Sequence, residues 1–119
     1  MGTKHGLRVR LPIIAGALLL AGTTATVVRA QDAKAIYAKS CAMCHGPTGQ
    51  GDGPAGKMMK PPPGPFSTTA QAMSEADIAK LLKEGGKAVG KTHPAFGGQW
   101  SDEEIKGLSE FVKRELSAK

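Results

Sequence analysis

The chain has 119 residues, a formal net charge of +6 and only 4% aromatic residues. This length allows one domain at most. Four of the 16 basic residues, but none of the ten acidic ones, precede residue 31. Residues 31–119 therefore hold 12 basic and 10 acidic residues, a net charge of +2, and this balance gives no indication of nucleic-acid binding.

The first 30 residues have the composition of an export signal. Three basic residues lie near the start: Lys4, Arg8 and Arg10. An uncharged apolar run follows from 11 to 28, and small residues precede a break after Ala30. This order predicts a signal peptide over 1–30 and a domain over 31–119. Alternatively, the run remains as an uncleaved membrane anchor, since it is at the short end of the length that spans a bilayer.

Residues 32–44 are rich in alanine and are predicted to form the first helix, which Gly46 ends. Its last turn carries Cys41-Ala42-Met43-Cys44-His45, the attachment pattern for a c-type haem. Positions i, i+3 and i+4 share one face of a helix, so Cys41, Cys44 and His45 point the same way. The two thiols can form thioethers with the haem vinyl groups, and His45 can reach the iron as the proximal ligand.

Other uses of the cysteine pair are weaker interpretations. A redox dithiol needs a βαβ context, and no such pattern is visible. A zinc site needs four ligands, and His93 is the only other histidine after the leader. A plain disulfide would leave His45 without a role. Haem attachment is therefore the leading interpretation, with zinc binding and a dithiol as alternatives.

The rest of the chain predicts two irregular loops and two helices. Glycine and proline dominate residues 46–66, and we expect an ordered loop there rather than a disordered linker. One of its carbonyls should accept from the free ring N–H of His45. Helices are predicted over 74–84 and 101–116, each with a capping box at its start and an apolar stripe. With no strand signal, the fold class is all-α.

The mature segment supplies few bulky side chains for a core. Its five aromatic residues are Tyr37, Phe66, Phe96, Trp100 and Phe111. Small domains bury a small fraction of their surface and usually need a staple. A covalently held haem would provide one, so we expect the haem-free chain to be poorly folded.

Three sequence segments resemble the class I cytochrome c family over nearly all of residues 31–119. They are Tyr37 to Gly46, Gly49-Gln50-Gly51-Asp52-Gly53, and Pro94-Ala95-Phe96-Gly97 leading into Ser101 to Ile105. The resemblance implies a small cytochrome c-like fold, with about three helices wrapped around one covalently attached haem c. It also implies periplasmic electron transfer between redox donor and acceptor proteins. The periplasmic side of the inner membrane is the location if the leader remains as an anchor.

The sequence departs from this family at the sixth iron ligand. The family usually has a methionine just before the Pro-Ala-Phe-like stretch, and this chain has Thr92-His93 there. We therefore predict His93 as the sixth ligand, although a lone loop histidine is ordinarily only solvated. The alternatives are Met58, Met59 or Met73, or an iron with no sixth protein ligand.

These observations favour a single-haem electron carrier, either free or as the small haem subunit of a redox complex. No nucleophile, general acid or paired carboxylates are recognisable, so we do not expect an enzyme. The alternative function rests on the missing methionine: a haem protein with an open or displaceable sixth site, acting as a ligand sensor or a peroxidase. Thiol–disulfide exchange at Cys41 and Cys44 is a third hypothesis.

Overall fold

The computed structural model describes Met1, Gly2 and residues 30–119. Residues 3–29, which hold nearly all of the predicted signal peptide or anchor, lie outside the described part of the chain. Within the described part, no helix is long and apolar enough to cross a membrane.

Four α-helices form the framework, and no strand occurs among residues 30–119. They are α1 (Ala30–Ser40), α2 (Ala42–His45), α3 (Glu75–Glu84) and α4 (Asp102–Phe111). Short 3₁₀ turns cover Gly56–Met58 and Gly86–Val89, and a π-helical turn, Val112–Leu116, extends α4. The all-α fold class is thereby confirmed.

The first helix differs from the prediction because it is interrupted at Cys41. The backbone there has φ −110° and ψ −36°, well away from ideal helical φ. The Cys41 carbonyl nevertheless accepts from the amides of Cys44 and His45, at 3.1 and 2.9 Å. A single helix over 32–44 is thus replaced by α1 and the one-turn helix α2, which carries the second cysteine and the histidine.

The packing of α1 against α4 forms the centre of the core. Ala33 and Leu108 are completely buried, and Tyr37 is 2% exposed. The ring of Tyr37 meets that of Phe111 edge to face, with centroids 5.7 Å apart. The small side chain of Ala33 allows the two helices to approach, and the aromatic pair fills the space beside it.

The helix α3 packs on the other side of α4, and both helices begin with the predicted capping boxes. The Ser74 hydroxyl accepts from the Asp77 amide at 3.1 Å, and the Ser101 hydroxyl accepts from the Glu104 amide at 3.2 Å. Ile78 and Leu82 of α3 are buried in the same core cluster as Ile105 of α4. The predicted stripes therefore face each other.

The glycine- and proline-rich segment over 46–66 is folded back on α2. The Phe66 amide donates to the Gly49 carbonyl at 2.8 Å, and the Gly51 amide donates to the His45 carbonyl at 2.8 Å. The Tyr37 hydroxyl donates to the Gly46 carbonyl at 2.6 Å. The loop is thus ordered, as predicted, and it is fastened both to the core and to the helix that carries the candidate site.

Candidate functional site

The three residues of the haem-attachment pattern lie together at the junction of α1 and α2, all partly buried. Neither cysteine is in a disulfide. Burial, with a smaller contribution from Cys44, raises the pKa of Cys41 to about 11. A thiol-exchange catalyst needs the opposite shift, because the thiolate is the reactive species. The local environment of Cys41 therefore does not favour the thiol–disulfide hypothesis.

His93 lies opposite His45, although 48 residues separate them in the sequence. The centroids of the two imidazoles are 6.0 Å apart, and their planes are inclined by 30°. With metal–nitrogen bonds of about 2.0 Å, two imidazoles bound on opposite sides of one metal ion have centroids roughly 6 Å apart. The observed centroid separation therefore matches that of two imidazoles bound to one metal ion.

The hydrogen bonding of His93 prepares one ring nitrogen for metal binding. Its Nδ1 lies 2.8 Å from the Pro94 carbonyl oxygen. A carbonyl can only accept, so Nδ1 must carry the proton, and the lone pair is left on Nε2. Burial lowers the pKa of His93, more than the hydrogen bond to Pro94 raises it. The neutral ring that a metal ligand needs is thus favoured.

The loop that carries His93 is fixed to the end of α3. The Gly86 amide donates to the His93 carbonyl at 2.8 Å, and the Phe96 amide donates to the Leu82 carbonyl at 2.8 Å. Gly86 also lies directly against the Lys91 carbonyl, so that a side chain would have no room there. These contacts fix the position of His93, whose own segment has no regular secondary structure.

His45 is held by an aromatic contact rather than by the expected carbonyl. The Phe66 ring lies 4.7 Å from the imidazole, centroid to centroid, with 33° between the planes. The Nδ1 atom of His45 is buried and has no hydrogen-bond partner. The prediction that a carbonyl of the 46–66 loop accepts from this nitrogen is therefore wrong: the loop presents Phe66 to the ring instead.

The environment of His45 keeps its ring neutral. Burial, followed by the nearby His93, lowers the pKa of His45 to about 4. An imidazole with this pKa is unprotonated at neutral pH, and its lone pair is available to a metal ion. The rings of His45 and His93 are thus both favoured in the neutral form, and they lie next to each other.

The alternative methionine ligands are either exposed or packed in the core. Met58 is 83% exposed and Met59 is 45% exposed, both in the loop that follows α2. Met73 packs against the hydrophobic core. By contrast, the ring of His93 lies 6.0 Å from that of His45, centroid to centroid.

Sequence reasoning missed the structural roles of Phe66 and Phe96. Phe66 covers His45, and Phe96 meets the ring of His93 edge to face, with centroids 5.9 Å apart. The sequence signal for these roles is the small number of aromatic residues. Few other side chains can line a flat apolar group, so the aromatic residues present are the candidates to line it.

The assembled donors fit a covalently attached haem. They comprise two thiols on one turn and two neutral imidazoles across a gap, with an aromatic ring beside each. Among the residues that the structure describes, no group of three or more histidine, cysteine, aspartate or glutamate side chains could hold a metal ion by itself. The buried, unpartnered nitrogen of His45 also lies in this region.

Comparison with known proteins agrees with this geometry. Residues 28–112 match the family model described as cytochrome c oxidase, cbb3-type, subunit III. No curated protein matches the chain significantly. The family match confirms the resemblance to c-type cytochromes, the covalently bound haem c as cofactor, and haem-based electron transfer as the general activity. The chain is a member of the cytochrome c oxidase, cbb3-type, subunit III family of c-type cytochromes.

Proposed function

We propose that this protein transfers single electrons in the periplasm through one haem c. Cys41 and Cys44 would hold the haem by thioether bonds, and His45 and His93 would be the two axial iron ligands. The observation that carries the proposal is the placement of the two imidazoles, with ring centroids 6.0 Å apart.

The protein residues have distinct tasks in this scheme. When bound, the haem supplies a one-electron iron couple. Cys41 and Cys44 fix its position, and the partly buried imidazoles resist protonation, because burial lowers the pKa of both rings. The Pro94 carbonyl holds His93 in the tautomer that presents Nε2. If both imidazoles bind the iron, no site would remain for a substrate, and this supports a carrier over a sensor or a peroxidase.

The ligand assignment is tested by spectra of the oxidised holoprotein and of two variants. We expect the wild type to be low-spin, without the near-infrared methionine–iron band, and to bind carbon monoxide slowly in the reduced state. His93→Ala should open the site and bind carbon monoxide rapidly, whereas His93→Met should acquire the near-infrared band. A wild-type band that persists in His93→Ala would refute the assignment.

A matched control is available in the methionines. Met58→Leu and Met59→Leu remove each thioether sulfur while keeping similar volume. Both variants should retain the wild-type spectrum and the wild-type rate of carbon monoxide binding. A change of spin state in either variant would assign the sixth ligand to that methionine instead of His93.

The choice of ligand also sets the reduction potential. Methionine–histidine ligation raises the potential of a haem. We therefore expect the wild-type potential to lie below that of His93→Met, measured by spectroelectrochemical titration of the two holoproteins. An equal or higher wild-type potential would contradict bis-histidine ligation.

The molecular setting is proposed from the family description. Because the matched family is named for an oxidase subunit, we propose that the chain serves as a haem subunit of a redox complex, with a free periplasmic carrier as the alternative. Native purification distinguishes the two settings. A subunit co-elutes with larger redox proteins, whereas a carrier elutes alone from the soluble periplasmic fraction.

A further inference from the structure

We propose that Trp100 is a positioning residue that holds His93 at the haem site through the ring of Phe96. By doing so it slows the opening of the sixth coordination position to small ligands. The inference deepens the electron-transfer function above and rests on the ligation by His93 proposed there. It gives a task to the one tryptophan of the chain.

Two ring contacts connect His93 with Trp100. The imidazole of His93 meets the Phe96 ring edge to face, with centroids 5.9 Å apart and planes inclined by 69°. The Phe96 ring in turn stacks on the indole of Trp100, with centroids 4.4 Å apart and 18° between the planes. Ring pairs of this kind stabilise a structure beyond the area that they bury. His93 is thus packed against a ring that a second ring holds in place.

Backbone hydrogen bonds fix the turn that brings the two larger rings together. The Trp100 amide donates to the Phe96 carbonyl at 3.1 Å. The Phe96 amide donates to the Leu82 carbonyl at 2.8 Å, and the Gly97 amide donates to the Lys83 carbonyl at 3.1 Å. Both acceptors lie in the last turn of α3. The stacked pair is therefore attached to the helical framework.

The side chain of Trp100 joins the His93 loop to the core. Phe96 and Trp100 are both partly buried and pack against the hydrophobic core cluster. Trp100 also directly precedes Ser101, the cap of α4. The ring contacts of His93 therefore continue, through two side chains, to the place where α4 begins.

The other contacts of His93 leave the orientation of its ring to this stack. Its Nδ1 is bonded to the carbonyl of Pro94, the next residue. That bond fixes the tautomer, but it moves together with the loop. The Gly86 amide holds the His93 backbone, which does not determine where the imidazole points. The contact with Phe96 is thus the one that ties the ring to the framework.

Removal of the indole should favour the open state, in which His93 has left the iron. Without Trp100 beside it, the Phe96 ring can turn away, and the imidazole loses the surface that it packs against. Contacts that exist only in the closed state set how much of the protein is open at a given moment. One aromatic pair contributes enough to change such an equilibrium by up to about tenfold.

The rate of carbon monoxide binding to the reduced holoprotein measures this opening. Carbon monoxide binds the iron only where His93 has left it, so its limiting rate at high concentration reports the opening step. Trp100→Leu keeps an apolar side chain and removes the ring, and we expect this rate to rise about tenfold. The oxidised variant should remain low-spin at neutral pH, because His93 is still its ligand. A wild-type rate in Trp100→Leu would overturn the proposal.

Two control variants separate the ring stack from general stability. Trp100→Phe keeps an aromatic ring and should bind carbon monoxide within twofold of the wild-type rate. Ser101→Ala removes the cap next to Trp100 without touching a ring, and it should also stay within twofold. If Ser101→Ala raises the rate as much as Trp100→Leu, the opening follows the stability of α4 and the proposal is wrong.

A double-mutant cycle tests whether Trp100 acts through Phe96. Phe96→Leu alone should raise the carbon monoxide rate at least as much as Trp100→Leu does. In the Phe96→Leu background, Trp100→Leu should change the rate less than twofold, because residues that act as a unit are not additive. A full tenfold rise in that background would mean that Trp100 acts independently of Phe96, and it would overturn the proposed route.

Failure of this inference is distinguishable from failure of the proposed function. If His93→Ala keeps the wild-type spectrum, the ligand assignment fails and the role of Trp100 fails with it. If His93→Ala loses the low-spin spectrum while Trp100→Leu binds carbon monoxide at the wild-type rate, ligation by His93 stands and only the role of Trp100 is wrong.

Discussion

Replacement of Tyr37 by phenylalanine should weaken the link between the helix core and the loop over the haem site. The Tyr37 hydroxyl donates to the Gly46 carbonyl at 2.6 Å, and the residue is only 2% exposed. Gly46 directly follows His45. The bond therefore ties the helix α1 to the beginning of the 46–66 loop.

The expected size of the effect follows from what each substitution removes. In Tyr37→Phe the hydroxyl bond is lost, but the Gly46 carbonyl still accepts from the Gly49 amide at 3.3 Å. The loss should therefore be about 1 kcal/mol, the net value of one hydrogen bond. Tyr37→Ala also removes the ring contacts to Phe66 and Phe111 and leaves a cavity. Its cost should be about 3–5 kcal/mol.

The assay is guanidinium unfolding of the holoprotein, followed by far-ultraviolet circular dichroism and by haem absorption. Thr68→Ala is the matched control, because it removes an exposed hydroxyl bond to the Pro65 carbonyl. We expect that control to change the free energy of unfolding by less than about 0.5 kcal/mol. If Tyr37→Phe is as mild as the control, the proposed tether between core and loop is refuted.

The same residue predicts a dependence on alkaline pH. Burial is the largest cause that holds the pKa of the Tyr37 phenol above its ordinary value of 10.0. A group with a raised folded-state pKa stabilises the protein fully below its unfolded pKa and loses that contribution as pH rises above it. The wild type should thus lose stability above about pH 10, and more steeply than Tyr37→Phe.

Three further outcomes are expected. Gly56→Ala should lower the free energy of unfolding of the holoprotein by about 1–3 kcal/mol in a denaturant titration, because its methyl group would collide with the Cys44 carbonyl. The control Gly98→Ala should lose less, because the space beside Gly98 is open. Equal losses in the two variants would contradict this reasoning. Ser101→Ala should cost about 1 kcal/mol in the same titration by removing the cap of α4, and no loss would mean that the cap is redundant. The oxidised holoprotein should remain low-spin as pH falls through 6, because burial lowers the pKa of both His45 and His93 and thus favours the neutral rings that can bind iron; loss of the low-spin spectrum near pH 6 would contradict the shielding of these rings.

Local patterns predicted the framework because their causes are local. The capping boxes at Ser74 and Ser101 depend on side chains three residues apart, and both formed as expected. The all-α class followed from helical periodicity in the absence of a strand pattern. The break at Cys41 was missed because alanine-rich composition favours a continuous helix, whereas the turn into α2 depends on how the following loop folds back.

Non-local contacts account for what the sequence could not predict at the site. The position of Phe66 against His45 depends on the hydrogen bond from the Phe66 amide to the Gly49 carbonyl, 17 positions earlier in the chain. No short-range pattern contains that information. The histidine at position 93 was a candidate from its place before Pro94, but its hydrogen bond to the Pro94 carbonyl and its distance from His45 depend on the folded loop. The liganding roles of both histidines remain a proposal.

The most direct test of the central claim is the near-infrared absorption spectrum of the oxidised, purified holoprotein. The placement of His45 and His93 with ring centroids 6.0 Å apart predicts a low-spin haem c without the methionine–iron band. A clear methionine–iron band, or a high-spin spectrum at neutral pH, would contradict bis-histidine ligation.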